Sequence, residues 1–199
     1  MKFFLILLSY LLGSIPSALI IGKIWENIDV RNYGSGNLGA TNVFRVLGWI
    51  PAILVAVMDA GKGILAVHIA KTYMPNDYIF IILCIIAAVV GHSFPIFANF
   101  HGGRSVGISF GIFLYLFPKV SLLILIIGVL IAGITKYKSV ASITCAILYP
   151  VFLYIFENPP QEFLIGVTLI CLFIIYRHIP NIKRLLKGEE HKLNWKIKK

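Results

Sequence analysis

Seven apolar runs, separated by short polar breaks, dominate the chain: Phe3–Trp25, Trp49–Ala70, Tyr78–Phe97, Val106–Phe117, Val120–Thr135, Val140–Phe156 and Phe163–Tyr176. A hydrocarbon core about 30 Å thick is crossed by about 20 helical residues. Backbone groups inside that core must pair within their own segment, which makes such runs helices. The pattern predicts an all-α, polytopic membrane protein with seven transmembrane helices. The fourth and fifth runs are short, and Pro118-Lys119 between them predicts a tight reversal. The first run follows Lys2 as a secretory leader would. Its length, the lack of a small-residue cleavage site and the spans beyond it predict a retained helix.

Composition agrees with that class. Hydrophobic residues make up 59% of the chain and charged ones 13%, too little polar surface to cover a soluble domain. The net charge of +10 would suggest a nucleic-acid partner, but the charges sit in the gaps between runs and in the tail. That placement fits anionic lipid headgroups and argues against nucleic acid. With the N-terminus outside, 14 basic residues fall inside, among them Lys23, Arg31, Arg45, Arg104, Lys136, Lys138 and the tail's Lys196, Lys198 and Lys199. Only Lys2, Lys71 and Lys119 fall outside, and Lys62 lies within a span. The positive-inside rule thus predicts an outside N-terminus and a cytoplasmic C-terminus. Residues 1–176 are expected to form the transmembrane domain and 177–199 a basic cytoplasmic tail that contributes to the site. Cys84, Cys145 and Cys171 share no metal or redox spacing and read as buried small hydrophobes.

Four polar segments fall on the predicted inside face. The first runs from Asp29 to Arg45 and carries Gly34, Gly36 and Gly39 among Ser35, Asn37, Thr41 and Asn42. Glycines let backbone N–H groups turn toward an anion, a following helix N-terminus adds its dipole, and Arg45 can grip phosphate oxygens. The second is Asp59 with Lys62, three apart on one helix face, read either as a structural ion pair or as a cation aimed at phosphate. The third joins His92 to Gly102, Gly103 and Arg104, a second glycine-plus-cation arrangement. His92 is either a proton-transfer group or an interhelical hydrogen-bonding group. The fourth opens the tail, with His178 and Asn181 three apart and Lys183, Arg184 and Lys187 as a headgroup-facing stripe. Leu185 and Leu186 suggest an interfacial helix there. Asp59 is the only acid within a central run, so no two-metal site is expected, and neither a His-x-x-x-x-Asp pair nor a Ser-His-Asp order is found.

These segments together resemble the acyl-phosphate:glycerol-3-phosphate acyltransferase family (PlsY) over nearly the whole chain. The resemblance rests on Gly34 to Arg45, Asp59 with Lys62-Gly63, Gly91 to Phe97 with Gly102-Gly103, and Arg177-His178 with Asn181 and Arg184. It implies a seven-span bacterial plasma-membrane enzyme with its motifs at the cytoplasmic face, acting on acyl phosphate and sn-glycerol 3-phosphate. It implies no cofactor, no metal and no required protein partner. By the same resemblance Ser35, Arg45, Arg104, His178 and Asn181 hold the phosphorylated substrates. Gly36, Asn37, Gly39, Thr41, Asn42, Lys62, His92, Gly102 and Gly103 shape or line the substrate site. One departure stands out: the family pattern Gly-Gly-Lys-Gly is here Gly102-Gly103-Arg104-Ser105. Arginine keeps the charge but replaces a compact ammonium with a planar fork, and serine adds a Cβ. Activity is expected to be altered accordingly.

An acyl phosphate is already activated, so positioning and charge neutralisation are expected to drive transfer without an acyl-enzyme. The hydroxyl proton is expected to go to a substrate phosphate, in preference to His178 or His92, because no histidine has a carboxylate evidently placed to orient it. A competing reading is a transporter of a small phosphorylated anion, which would use the same loops without reacting. Against it, the polar segments cluster on one face and not at the membrane midplane.

Overall fold

The computed structural model describes residues 1–193. Lys196, Lys198 and Lys199, counted above among the inside cations, lie outside the described residues. All regular structure among the described residues is helical: α1 Lys2–Ser14, α2 Ser17–Glu26, α3 Ala40–Leu47, α4 Trp49–Tyr73, α5 Tyr78–Ser93, α6 Val106–Leu116, α7 Pro118–Thr135, α8 Lys138–Glu157, α9 Gln161–Arg177 and α10 Ile179–Leu186.

Local sequence sets the helix ends. Pro16 splits the first apolar run: it has no N–H and pushes Ile15 out of the helical region, to φ −59° and ψ 117°. Asn27 and Lys136 end α2 and α7 in the left-handed conformation. The Asp77 carboxylate caps α5 by accepting from the Phe80 amide at 3.0 Å. Pro118 opens α7 at a position where a missing N–H costs nothing, two residues beyond the end of α6.

Five stretches are long and apolar enough to cross a membrane: Lys2–Glu26, Trp49–Tyr73, Tyr78–Ala98, Pro118–Thr135 and Lys138–Glu157. The pair α9 and α10, bent by 48°, makes a sixth if taken as one span. The fourth expected run is helical as α6, but its 11 residues are too short by themselves for a straight crossing. Among the described residues the protein is therefore all-helical with five or six candidate membrane spans by length and composition.

The chain divides into two compact units, residues 1–112 and, within the described range, 113–193. In the first unit α1 packs along α5, and glycines permit the approach. A Cβ on Gly13 would strike the Ala88 backbone, and one on Gly91 would strike the Tyr10 carbonyl. Such small-residue contacts are how helices associate in lipid, where apolar burial gives no drive. Short α3 packs on α4, and Ala18, Val30, Val43 and Val55 form a core beneath the first polar loop. In the second unit α7, α8 and α9 pack in sequence, with the Phe113 and Tyr149 rings 4.5 Å apart and Tyr149 hydrogen-bonded to Ser121 at 2.7 Å.

Candidate active site

The first glycine loop is held by one side chain. Asn42, 1% exposed in the first turn of α3, accepts from the Ser35 amide at 2.7 Å and the Ser35 hydroxyl at 3.1 Å through Oδ1. Its Nδ2 donates to the carbonyls of Val30 at 3.0 Å and Tyr33 at 3.1 Å. Those four bonds use the full capacity of a carboxamide, so Asn42 shapes the loop from inside. Gly34, at φ +60°, presses on the same Oδ1, and a side chain there would displace it. Gly36, at φ +69°, completes the turn. Since the Ser35 amide alone can keep the Asn42 contact, the hydroxyl is free to rotate toward an anion. Asn37, Gly39 and Thr41 are half-buried around the start of α3, with Gly39 as its N-cap, and Arg45 lies half-buried in its last turn. At the loop's entry the Arg31 guanidinium grips Asp29 at 2.6 Å and holds its carboxyl below the usual range. Arg31 also donates to the Ala98 carbonyl at 3.4 Å.

The second glycine segment is held by α5. The Gly103 amide donates to the His92 carbonyl at 3.1 Å, and the Ser93 hydroxyl donates to the Gly103 carbonyl at 3.3 Å. A Cβ on Gly102 would meet the His92 and Ser93 carbonyls, and one on Gly103 would meet the His92 ring. These glycines therefore buy a close approach to α5; neither has a positive φ. Half-buried Arg104 follows directly. Ser105, where the family pattern has glycine, sits fully buried at φ 59°. Its hydroxyl donates to the Val89 carbonyl at 2.9 Å and pairs with Ser93 at 2.8 Å, which offsets the left-handed strain. The added Cβ is thus accommodated.

The carboxylate of Asp59 gathers the groups behind this segment. Its Oδ1 lies 2.9 Å from Lys62 Nζ, accepts from the Ser17 hydroxyl at 2.8 Å and lies 3.6 Å from His92 Nδ1. Lys62 also donates to the Ile15 carbonyl at 2.7 Å, a carbonyl beside the Pro16 break. Lys62, read from sequence either as half of a structural ion pair or as a cation aimed at phosphate, pairs with Asp59 and the Ile15 carbonyl and also lines a small cavity. One expectation needs correcting, since His92 does have a carboxylate beside it. Sequence spacing did not reveal this because Asp59 and His92 come from different helices. One small cavity is lined by Ile15, Ser17, Leu38, Lys62, His92 and Gly103, among others. It brings three of the four polar segments to one place.

The fourth segment lies in the second unit. The His178 ring is buried, with Nδ1 2.8 Å from the Ile174 carbonyl. A carbonyl only accepts, so Nδ1 carries a proton in this contact. Asn181 donates through Nδ2 to Glu190 at 2.7 Å, while its buried Oδ1 has no hydrogen-bond partner. Arg184 donates to the other Glu190 oxygen at 2.8 Å. Burial raises the Glu190 pKa, but hydrogen bonds from Asn181 and Arg184 outweigh it, and the net value lies below the usual glutamate range. The tail continues onto the turn between α7 and α8, where the Leu193 amide donates to the Lys136 carbonyl at 2.7 Å. Leu186 is 84% exposed, as an interfacial helix requires. Sequence reasoning missed Ser17, Ser93 and Glu190. The proline inside the first run was the one signal that pointed toward Ser17.

Comparison with known proteins supplies the chemistry. A family profile described as glycerol-3-phosphate acyltransferase matches residues 3–188. A curated glycerol-3-phosphate acyltransferase of Fusobacterium nucleatum is 43% identical over 198 residues, covering 98% of this chain and 100% of that protein. One of Thermoanaerobacter is 44% identical over 190 residues, covering 96% and 94%. A crystal structure described as PlsY (YgiH), an integral membrane glycerol 3-phosphate acyltransferase in its glycerol 3-phosphate form, superposes with a TM-score of 0.91 at 38% identity, covering 97% of this chain and 96% of that one. Its lysophosphatidic acid form superposes at 0.87 and 36% identity, covering 98% and 96%.

Proposed function

Since this chain belongs to the glycerol-3-phosphate acyltransferase family, we propose that it transfers an acyl group from acyl phosphate to the 1-hydroxyl of sn-glycerol 3-phosphate. The products are lysophosphatidic acid and inorganic phosphate. The observation that carries this reading is the near-full-length likeness to a solved acyltransferase in its glycerol 3-phosphate form. The chain is an integral membrane acyltransferase. Seven crossings, an outside N-terminus, a cytoplasmic C-terminus and a site at the cytoplasmic face of a bacterial plasma membrane are the finer proposal, supported by the inside excess of basic residues.

In the proposed step the substrate hydroxyl oxygen attacks the acyl carbonyl carbon, the bond from that carbon to the phosphate oxygen breaks, and phosphate leaves. The proton passes to a phosphate oxygen of the substrates in preference to His92, whose Nδ1 faces Asp59 and whose Nε2 is packed against Gly103. Ser35, Arg45 and Arg104 are the groups we assign to phosphate oxygens, a hydroxyl and two forks that hold charge where it develops. His178 and Asn181 are assigned to substrate contact. Gly36, Asn37, Gly39, Thr41, Asn42, Lys62, His92, Gly102 and Gly103 are assigned to shaping or lining the substrate site around these groups. The transporter reading is not favoured by the ionisable residues at depth, because Asp59 and Lys62 neutralise each other.

The test is phosphate release by the purified protein given palmitoyl phosphate, with and without glycerol 3-phosphate. Release that requires both, with lysophosphatidic acid formed in equal amount, is the expected result. Binding of glycerol 3-phosphate without turnover would return the transporter reading.

A further inference from the structure

The charged pair Asp59 and Lys62 has no part in the step above, yet both side chains are almost fully buried, at 5% and 6% exposure. A buried ion pair needs hydrogen bonds to its remaining lone pairs and protons, and the identity of those partners shows what the pair is tied to. Asp59 has two more: the Ser17 hydroxyl from the start of α2 and the His92 ring from the end of α5. At 3.6 Å the His92 contact is electrostatic and longer than a direct hydrogen bond. The other side of that ring faces Gly103, whose Cα lies so close that any Cβ would overlap Nε2. The His92 carbonyl meanwhile receives the Gly103 amide. The ring is thus a spacer with the Asp59 carboxylate at one edge and the Gly103 backbone at the other.

We propose that Asp59 is a positioning residue: through the His92 ring it sets where Gly103, and with it the neighbouring Arg104, lies. This rests on the acyltransferase reading for the consequence of the placement, though not for the placement itself. Lys62 and Ser17 hold the carboxylate in place, and Lys62 ties it to the Ile15 carbonyl beside the break in the first helix. The cation is thereby referenced to α1, α4 and α5 together, the rigid helices of its unit, although it stands in a loop. Misplacement of a substrate-holding cation by about 1 Å costs up to about a hundredfold in rate.

The test compares the wild-type protein with Asp59→Asn,Lys62→Met, which removes both charges together and strands neither, and with His92→Ala. Two readouts are taken: hydrogen exchange of the peptide covering residues 101–106, and the KM for glycerol 3-phosphate against kcat. The paired change is expected to speed exchange at 101–106 while the Ser35 amide, held by Asn42, keeps its protection. It is expected to raise KM about tenfold with a smaller change in kcat, and to add little once His92 is alanine, because the two act in series. Unchanged exchange at 101–106 would overturn the proposal whatever the activity, and so would fully additive effects or a wild-type KM. If the paired variant does not fold, His92→Ala alone must still release 101–106, and intact protection there would refute the role. If the wild-type protein forms no product, the acyltransferase reading fails while the exchange readout still decides the placement.

Discussion

Asn42 and His92 each hold a glycine-bearing loop that leads to an arginine, and they do so by opposite means. Asn42 reaches back from the helix that follows its loop and fills four hydrogen bonds from one carboxamide. His92 reaches forward from the helix that precedes its segment, giving one carbonyl bond and a ring face, with Asp59 of a third helix behind it. The first loop is closed by residues seven to twelve apart and is nearly self-contained. The second depends on the packing of α1, α4 and α5. A local clamp should fail all at once, and a distributed one by degrees.

The largest effect is expected at Arg45, which is assigned to substrate. Arg45→Ala should cost about a thousandfold in turnover with little change in thermal stability, read by phosphate release and by melting in detergent. Asn42→Ala should remove activity by a different route, losing about 3 kcal/mol of stability as Val30, Tyr33 and Ser35 lose their partner together. Stability within a fraction of that figure would mean that the loop has a second anchor. His92→Ala should lower the rate about tenfold and not abolish it, because Arg104 is still carried on its segment while the segment, without the ring beneath Gly103, is loosened. Equal, modest losses from Arg45→Ala and His92→Ala would remove the distinction drawn between the two residues.

Smaller effects sharpen the contrast. Glu190 has a depressed pKa when folded, so it adds stability above its unfolded value, and that stability drains away as pH falls from about 4 through the folded value. Glu190→Gln should flatten this acid limb of the melting curve and leave the neutral region less stable. Ser105 should invert the usual ranking of substitutions. Ser105→Ala keeps the left-handed strain and loses both hydroxyl bonds, costing about 2 kcal/mol, whereas Ser105→Gly relieves the strain and should cost about 1 kcal/mol.

The difference between the two loops also explains what the sequence could reveal. Apolar runs located every long helix to within a few residues, because membrane burial is written in composition. The first loop stood out in the sequence since its glycines, hydroxyls and Arg45 are close together. The Asp59–Lys62 pair was legible as one of two readings, at three-residue spacing. Ser17, Ser93 and Glu190 were not, because a lone serine or glutamate has no spacing to betray it until helices bring it to a partner. The carboxylate beside His92 escaped for the same reason. Ser105 read as a defect because sequence shows the added Cβ and not the Val89 carbonyl that receives its hydroxyl.

The most direct test of the central claim is a rapid-mixing measurement of phosphate release from palmitoyl phosphate, first without glycerol 3-phosphate and then with it. Direct transfer predicts no burst without the acceptor, followed by phosphate and lysophosphatidic acid in equal amounts once the acceptor is added. A burst of phosphate equal to the protein concentration, before any acceptor is present, would contradict the account by showing an acyl-enzyme.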